Sequence, residues 1–266
     1  MGFNELNSVE HYIIHQLSGV NLNHPHWQEE KTPYGFQWSY KSADKLKRGV
    51  NEVIEEEELR NALIRINPEI TKQPERADEV IYKLRAILIS VNQTGLVRAN
   101  EEFHKWLVGE KTMPFGENNN HVPVRLIDFE KPENNTFIIT NQYRIHHRET
   151  KIPDIVLLVN GMPLVIGEAK TIIRPSISWL DGAHEIHDIY EDAVPQLFVP
   201  NLLSFATEGK ELYYGSVRSP LENWSPWRIL SEDDALAKAI GLGEVGKELS
   251  DLLHPKRILD ILQNFA

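Results

Sequence analysis

Two apolar runs set back to back constrain this chain more than any other feature. Residues 155–159 read Ile-Val-Leu-Leu-Val and residues 162–167 read Met-Pro-Leu-Val-Ile-Gly, with only Asn160-Gly161 between them. A strand with one wet face alternates apolar and polar residues, whereas an unbroken apolar run is a strand covered on both faces. Asn-Gly supplies the left-handed backbone conformations that a tight hairpin needs. The expected product is a hairpin in the middle of a sheet with helices on either side, an α/β architecture. Charge stands at both ends of this apolar block: Pro153-Asp154 before it and Glu168-Ala169-Lys170 after it. A charge at the end of a doubly buried strand is costly unless it is paired or bound to a cation.

The rest of the chain fits around that hairpin. Residues 7–18 predict a helix in which Asn7 caps, Glu10 completes a capping box, and Val9, Ile13 and Leu17 form the apolar stripe. Residues 19–41 read as loop with short strands, for example over 35–40. From 43 to 109 apolar residues recur at helical spacing (Leu59, Leu63, Ile66; Val80, Leu84, Ile87; Phe103, Leu107), broken at Pro68 and Gly95. This predicts three or four helices forming a lobe. After loop signals over 111–135, strands are expected at 137–140, 155–159, 164–166, 202–206 and 212–214, with a helix over 179–193. Helices over 230–240 and 257–265 close the chain.

The flanking charges suggest a chemistry. Hydrolysis of a phosphodiester calls for a divalent cation that activates water and neutralises charge building on the phosphorus oxygens. Mg²⁺ takes oxygen ligands and keeps several waters, so Asp154 and Glu168 suffice, with the backbone carbonyl of Ala169 as a further donor. Lys170, two residues beyond Glu168, emerges on the same face of the strand and can orient the water or stabilise the transition state. The rival account is plainer: Asp154 accepts backbone hydrogen bonds at a strand start, and Glu168 with Lys170 forms an exposed ion pair on an edge strand.

Hairpin parity bears on the choice. A two-residue loop would pair Val159 with Met162, set Asp154 opposite Gly167, and send Glu168 to the other face. A three-residue loop, or an equivalent bulge, brings Asp154 opposite Glu168. If the two carboxylates share a cation, the odd loop or the bulge is required.

Pro153-Asp154 followed by Glu168-Ala169-Lys170 matches the signature of the PD-(D/E)xK nucleases. The surrounding wording, DIVLLVNGMPLVIGEAKT, closely resembles the N-terminal nuclease region of type I restriction enzyme R subunits. The resemblance also takes in ELNSVE, ALIRINPEI, RADEVIYKLRAIL, GLVRANEEF, HVPVRLIDF, VPQLFVPNLLSFATEGKELYYGS and RILDILQNF, nearly the whole chain. It implies a PD-(D/E)xK core, a mixed sheet flanked by helices, with the helical lobe (about 43–110) inserted before the catalytic hairpin. A nuclease domain would span 1–230, with its catalytic core over about 136–216, and residues 231–266 would be a helical linker toward an ATP-driven DNA motor. The chain has no Gly-Lys-Ser/Thr phosphate loop, and ATP would serve only that motor. Implied partners are duplex DNA and the methyltransferase (M) and specificity (S) subunits; the implied cofactor is Mg²⁺, with Mn²⁺ as substitute. The resemblance further implies a metal-proximal glutamate in the first helix, matched by Glu10, and a Gln-then-Tyr pair on the helix after the lysine strand. Tyr190 matches the tyrosine and so is a candidate DNA contact, but four residues before it stands Ile186, with Glu185 one further back.

Composition limits what the chain can do alone. With no cysteine, disulfides and cysteine-based zinc or thiol chemistry are excluded. No leader-like or membrane-length apolar stretch is present, so a cytoplasmic protein is expected. The net charge of −11 argues against a domain that grips DNA unaided, because phosphate neutralisation supplies most of that affinity. The basic residues that do cluster, among them Arg144, Arg148 and Arg174, are candidate phosphate contacts. His146 and His147 point to opposite faces of a strand, so at most one reaches the site. Trp224 and Trp227 can stack bases or pack the C-terminal helices on the sheet. Two other functions fit parts of the pattern: a non-catalytic module docking the R subunit on the methyltransferase core, and a standalone repair or junction-resolving nuclease.

Overall fold

The structure, a computed structural model, describes residues 8–22, 37–170, 177–229 and 243–265. The Asn7 cap, the strand start at Gly35, Arg174 and the helix expected over 230–240 lie outside the described residues.

A mixed seven-stranded sheet forms the centre, in the order β1-β4-β7-β8-β9-β10-β11. Its strands are β1 (Ser39–Tyr40), β4 (Phe137–Asn141), β7 (Ile155–Val159), β8 (Met162–Ala169), β9 (Leu203–Thr207), β10 (Leu212–Gly215) and β11 (Ser225–Pro226). Two separate ribbons pair β2 (Thr112–Met113) with β3 (Val122–Pro123) and β5 (Ile145–His146) with β6 (Thr150–Lys151). The pairs β1–β4 and β8–β9 are parallel and the other pairs of the large sheet antiparallel. Every residue of β7 is buried, as are Met162, Leu164, Val165 and Ile166 of β8. The unbroken apolar runs therefore occupy the middle of a covered sheet, as doubly buried strands must.

Helix α1 (Ser8–Ser18) precedes the sheet, and α2 (Glu56–Ile66), α3 (Pro68–Lys72), α4 (Arg76–Thr94) and α5 (Leu96–Leu107) follow one another before β4. Beyond β8 come α6 (Trp179–His184), a π-helical turn (Glu185–Tyr190) and α7 (Glu191–Ala193). Sheet and helices share one continuous core of buried side chains. The C-terminal helices Gly243–Leu252 and Pro255–Phe265 belong to it through Val245, Leu249, Leu252, Ile258 and Leu262. Trp38 donates its indole N–H to the Leu253 carbonyl at 2.6 Å, and Trp227 donates to Asp251 at 2.8 Å. Trp227 thus packs these helices on the sheet. Among the described residues no helix is long and apolar enough to cross a membrane.

The hairpin loop is the two-residue one. Val159 pairs with Met162, and Asn160 (φ 50) and Gly161 (φ 79) both take left-handed conformations. A Cβ on Gly161 would meet the Glu55 carbonyl at 2.4 Å, so the turn is both strained for, and closed to, any other residue. The parity problem is solved further along. Leu158 pairs with Pro163 and Leu157 with Val165, leaving Leu164 as a bulged residue. From there Ile155 faces Gly167, and Asp154 comes opposite Glu168. The bulge is anchored, since the Leu164 carbonyl accepts from Leu202 N at 2.8 Å.

Gly167 holds the strand that presents Glu168 under the buried Phe205 ring, to which a Cβ at 167 would come within 2.2 Å. Gly167→Ala should therefore destabilise the fold by about 1–3 kcal/mol through overpacking. The loss should be smaller on a Phe205→Leu background than on the native one. Denaturant midpoints of the four proteins decide it; a Gly167→Ala midpoint equal to the native one would mean that the ring moves aside freely.

Candidate functional site

The bulged register brings the two ends of the hairpin together. The Asp154 backbone N–H points to Glu168 Oε1 at 3.3 Å, and the Ala169 N–H donates to Asp154 Oδ2 at 3.0 Å. Ala169 thus holds the aspartate through its amide. Lys170 Nζ lies 3.3 Å from Glu168 Oε2 and also pairs with Glu185 Oε2. Glu168 itself is only 1% exposed. Burial, and then the nearby Asp154 charge, hold its carboxyl well above the usual carboxylate range, with Lys170 pulling the other way. For Lys170, burial lowers the pKa, but the ion pairs with Glu168 and Glu185 outweigh it and leave it raised.

Glu10 reaches the same place from α1. Its carboxylate, 3% exposed, accepts from Asn141 Nδ2 and from Gln142 Nε2, the latter at 2.9 Å. Gln142 Nε2 also lies 3.2 Å from Asp154 Oδ1. Burial raises the Glu10 pKa, and the Asp154 charge adds to the rise against the two amides.

The helix after β8 contributes a residue at an unexpected spacing. In an ordinary α-helix, residues four apart share a face, and four before Tyr190 stands the fully buried Ile186. Here residues 185–190 form a π-helical turn, whose i→i+5 repeat sets Glu185 on the face of Tyr190. The Tyr190 hydroxyl donates to Glu185 Oε1 at 2.9 Å, and the other Glu185 oxygen takes Lys170. Burial, then the charges of Glu168 and Glu185, raise the Tyr190 pKa, so it stays a neutral donor. Glu185 is the polar group displaced by one position, and a one-residue offset in the motif is the trace it leaves in the sequence.

The other candidates sit elsewhere or point outward. Arg144 is exposed. Arg148 donates to the Asp192 carbonyl at 3.1 Å, and its backbone N–H to Ala193 at 3.2 Å, which ties it to α7. His146 pairs with Thr150 and His147 with Asn92.

The donor set suits a divalent cation. Glu168 and Glu185 share one ammonium, Asp154 meets Glu168 through its backbone N–H, and Glu10 lies a single amide from Asp154, so the cluster holds more carboxylates than Lys170 alone can balance. Among the described residues no three acidic or imidazole groups form a ready ligand cage. A hard cation that keeps most of its waters does not need one.

The model of the type I restriction enzyme R protein N terminus matches residues 3–223. The endonuclease subunit of the type I restriction enzyme HindI from Haemophilus influenzae is 31% identical over 227 residues, 84% of this chain and 21% of that protein. A Methanocaldococcus jannaschii protein, provisionally named the endonuclease subunit of the type I restriction enzyme MjaIXP, is 25% identical over 237 residues, 87% of this chain and 21% of its own length. This chain therefore spans about a fifth of the length of the curated relatives it matches. By a family match that covers most of its length and both sides of the Asp154–Glu168 hairpin, the chain belongs to the type I restriction enzyme R protein N-terminal family.

Proposed function

We propose that this chain is the DNA-cleaving part of a type I restriction R subunit, a PD-(D/E)xK nuclease that hydrolyses phosphodiester bonds of duplex DNA with Mg²⁺, or Mn²⁺ in its place. The observation that carries the proposal is the junction of Asp154, buried Glu168 and Lys170 at one end of the central hairpin, achieved by a bulge the hairpin does not otherwise need. A surface ion pair would require neither the burial nor the second carboxylate.

When bound, the cation supplies an activated water and neutralises charge developing on the phosphate. Asp154 and Glu168 would hold it, with the Ala169 carbonyl as a further oxygen. Lys170, kept charged between Glu168 and Glu185, orients the attacking water and faces the charge that builds in the transition state. Tyr190 and Glu185 fix the lysine from the opposite wall. The helices of residues 43–110 form a lobe beside this core. Arg144, Arg148 and Arg174 serve as phosphate contacts. With a net charge of −11 the chain has little cationic surface of its own. That supports an arrangement in which DNA is delivered by an ATP-driven motor and by the M and S subunits.

A crystal soaked in Mn²⁺ tests the proposal directly. Anomalous density between the Asp154 and Glu168 carboxylates is the expected result. Density confined to other positions, with Lys170 still bridging Glu168 and Glu185, would leave the cluster a structural ion-pair network.

A further inference from the structure

Gln142 touches the Asp154 carboxylate through its side chain, and its backbone is in a conformation glutamine rarely takes. Its φ is 51, in the left-handed region where glycine and asparagine are favoured. It is exposed, and an exposed glutamine ordinarily loses nothing by rotating into water. Here both its backbone N–H and its side-chain nitrogen are held. Its backbone N–H donates to the Asp154 carbonyl at 3.1 Å, and the next N–H, of Tyr143, to the Pro153 carbonyl at 3.0 Å. Its side-chain nitrogen lies 2.9 Å from Glu10 Oε2 and 3.2 Å from Asp154 Oδ1. Two carboxylates can be faced only by the NH₂ side of the amide, so its orientation is fixed by chemistry.

We propose that Gln142 is a positioning residue for Asp154: its amide, clamped by Glu10 and by the left-handed turn, sets the carboxylate in the orientation that takes a divalent cation. The proposal rests on the site being a divalent-cation site. Asp154 then has one donor on each oxygen, Ala169 N–H on Oδ2 and Gln142 Nε2 on Oδ1, which locks its rotamer and leaves a lone pair on each oxygen for the ion. Glu10 is the clamp's far end. Its two oxygens are taken by the amides of Asn141 and Gln142, and Asn141 Oδ1 in turn accepts from the Tyr40 hydroxyl at 2.9 Å. Such charge-assisted bonds are strong enough to hold an amide that would otherwise be solvated. The first helix thereby sets the geometry of a residue on the hairpin without itself holding the ion.

Calorimetric titration of the chain with Mn²⁺ tests this, with the wild type, Asp154→Ala, Gln142→Asn, Glu10→Gln and the double variant Gln142→Asn/Glu10→Gln. Asparagine tolerates the left-handed backbone but is one methylene short of both carboxylates, so metal-free Gln142→Asn should unfold at the wild-type temperature. Its affinity for Mn²⁺ should fall about 10- to 100-fold, the usual effect of removing an outer partner of a metal ligand, at unchanged stoichiometry. Adding Glu10→Gln should weaken it no further, because Glu10 acts through Gln142. Wild-type affinity in Gln142→Asn overturns the proposal. So does tighter binding or a second ion, which would make the amide an occupant of a cation position, and so do additive losses in the double variant. A wild type that binds no Mn²⁺, or binds it no better than Asp154→Ala, overturns the site assignment and the proposal with it.

Discussion

In a full-length R subunit assembled with its M and S partners, Lys170→Ala, Asp154→Ala and Glu168→Ala should each leave DNA uncut while ATP hydrolysis and assembly continue. Glu168 joins the other two, taking the Asp154 N–H on one oxygen and the Lys170 ammonium on the other, so each loss removes a different part of one device. Without either carboxylate the cation has half its protein anchor, and the loss should reach the detection limit. Without the ammonium the transition state loses a preorganised charge, which costs about 10²–10³-fold where a single such group has been removed from an enzyme. Lys170→Ala also leaves Glu168 and Glu185 without the ammonium between them, so part of its defect should be reversed by raising the Mg²⁺ concentration, a cation in place of the lost one; the defects of the carboxylate variants should not. ATP hydrolysis should survive because this chain has no phosphate loop to damage. Single-turnover cleavage of a supercoiled plasmid, alongside phosphate release, separates the two activities. Near-native cleavage by any one variant would remove that residue from the mechanism; loss of ATP hydrolysis in step with cleavage would mean that the substitutions unsettle the whole subunit.

The part of this arrangement that could be read in the sequence is the part written in short-range pattern. The hairpin strands appear where unbroken apolar runs put them, because burial on two faces excludes polar residues one by one. The strands at 203–207 and 212–215 appear within a residue or two of their expected bounds, marked by aromatic residues and bounding Asn and Gly rather than by unbroken apolar runs. Parity stated that a bulge or an odd loop was needed but not which. A bulge at Leu164 leaves no mark, since the inserted residue is as apolar as its neighbours and is specified by the N–H of Leu202, just before β9. Glu185 was hidden by periodicity: at α-helical spacing it faces away from Tyr190, and only a π-turn brings the two together. Gln142 was illegible because its role depends on a backbone angle its residue type disfavours. The pairing of β1 with β4, Ser39 with Ile138, joins segments far apart in sequence through two residues, too short a run to carry a pattern.

Glu168 offers a test that needs no DNA and no other subunit. Metal-free Glu168→Gln should melt at a higher temperature than the wild type at pH 8, and the gap should close as the pH falls. The carboxyl is held well above its ordinary range, by burial first and by Asp154 second, against the opposing pull of Lys170. A group whose folded pKa is raised stabilises the fold fully below its unfolded pKa, about 4.3 for glutamate, and that stabilisation is lost as the pH rises through the folded value. At pH 8, well above the unfolded value, the fold has lost some of that stabilisation, because its surroundings disfavour the charged carboxylate. Glutamine keeps the shape, still accepts from the Asp154 N–H, leaves Lys170 its pair with Glu185, and removes the charge. Near pH 4.5, close to the unfolded value, the loss has not set in and the two proteins should converge. Divalent cation should invert the order. A ligand bound only by the folded state adds about 2.7 kcal/mol at a hundred times its Kd. The wild type should gain this with Mg²⁺ or Mn²⁺, and Glu168→Gln should gain little. The plainer account, in which Glu168 and Lys170 are a structural ion pair, makes the opposite prediction. Breaking a buried pair strands a charge, so Glu168→Gln would melt lower at pH 8 and neither protein would respond to metal. Melting curves at pH 8 and pH 5, each with and without Mg²⁺, decide between a carboxylate kept in place for a cation and one kept in place for Lys170.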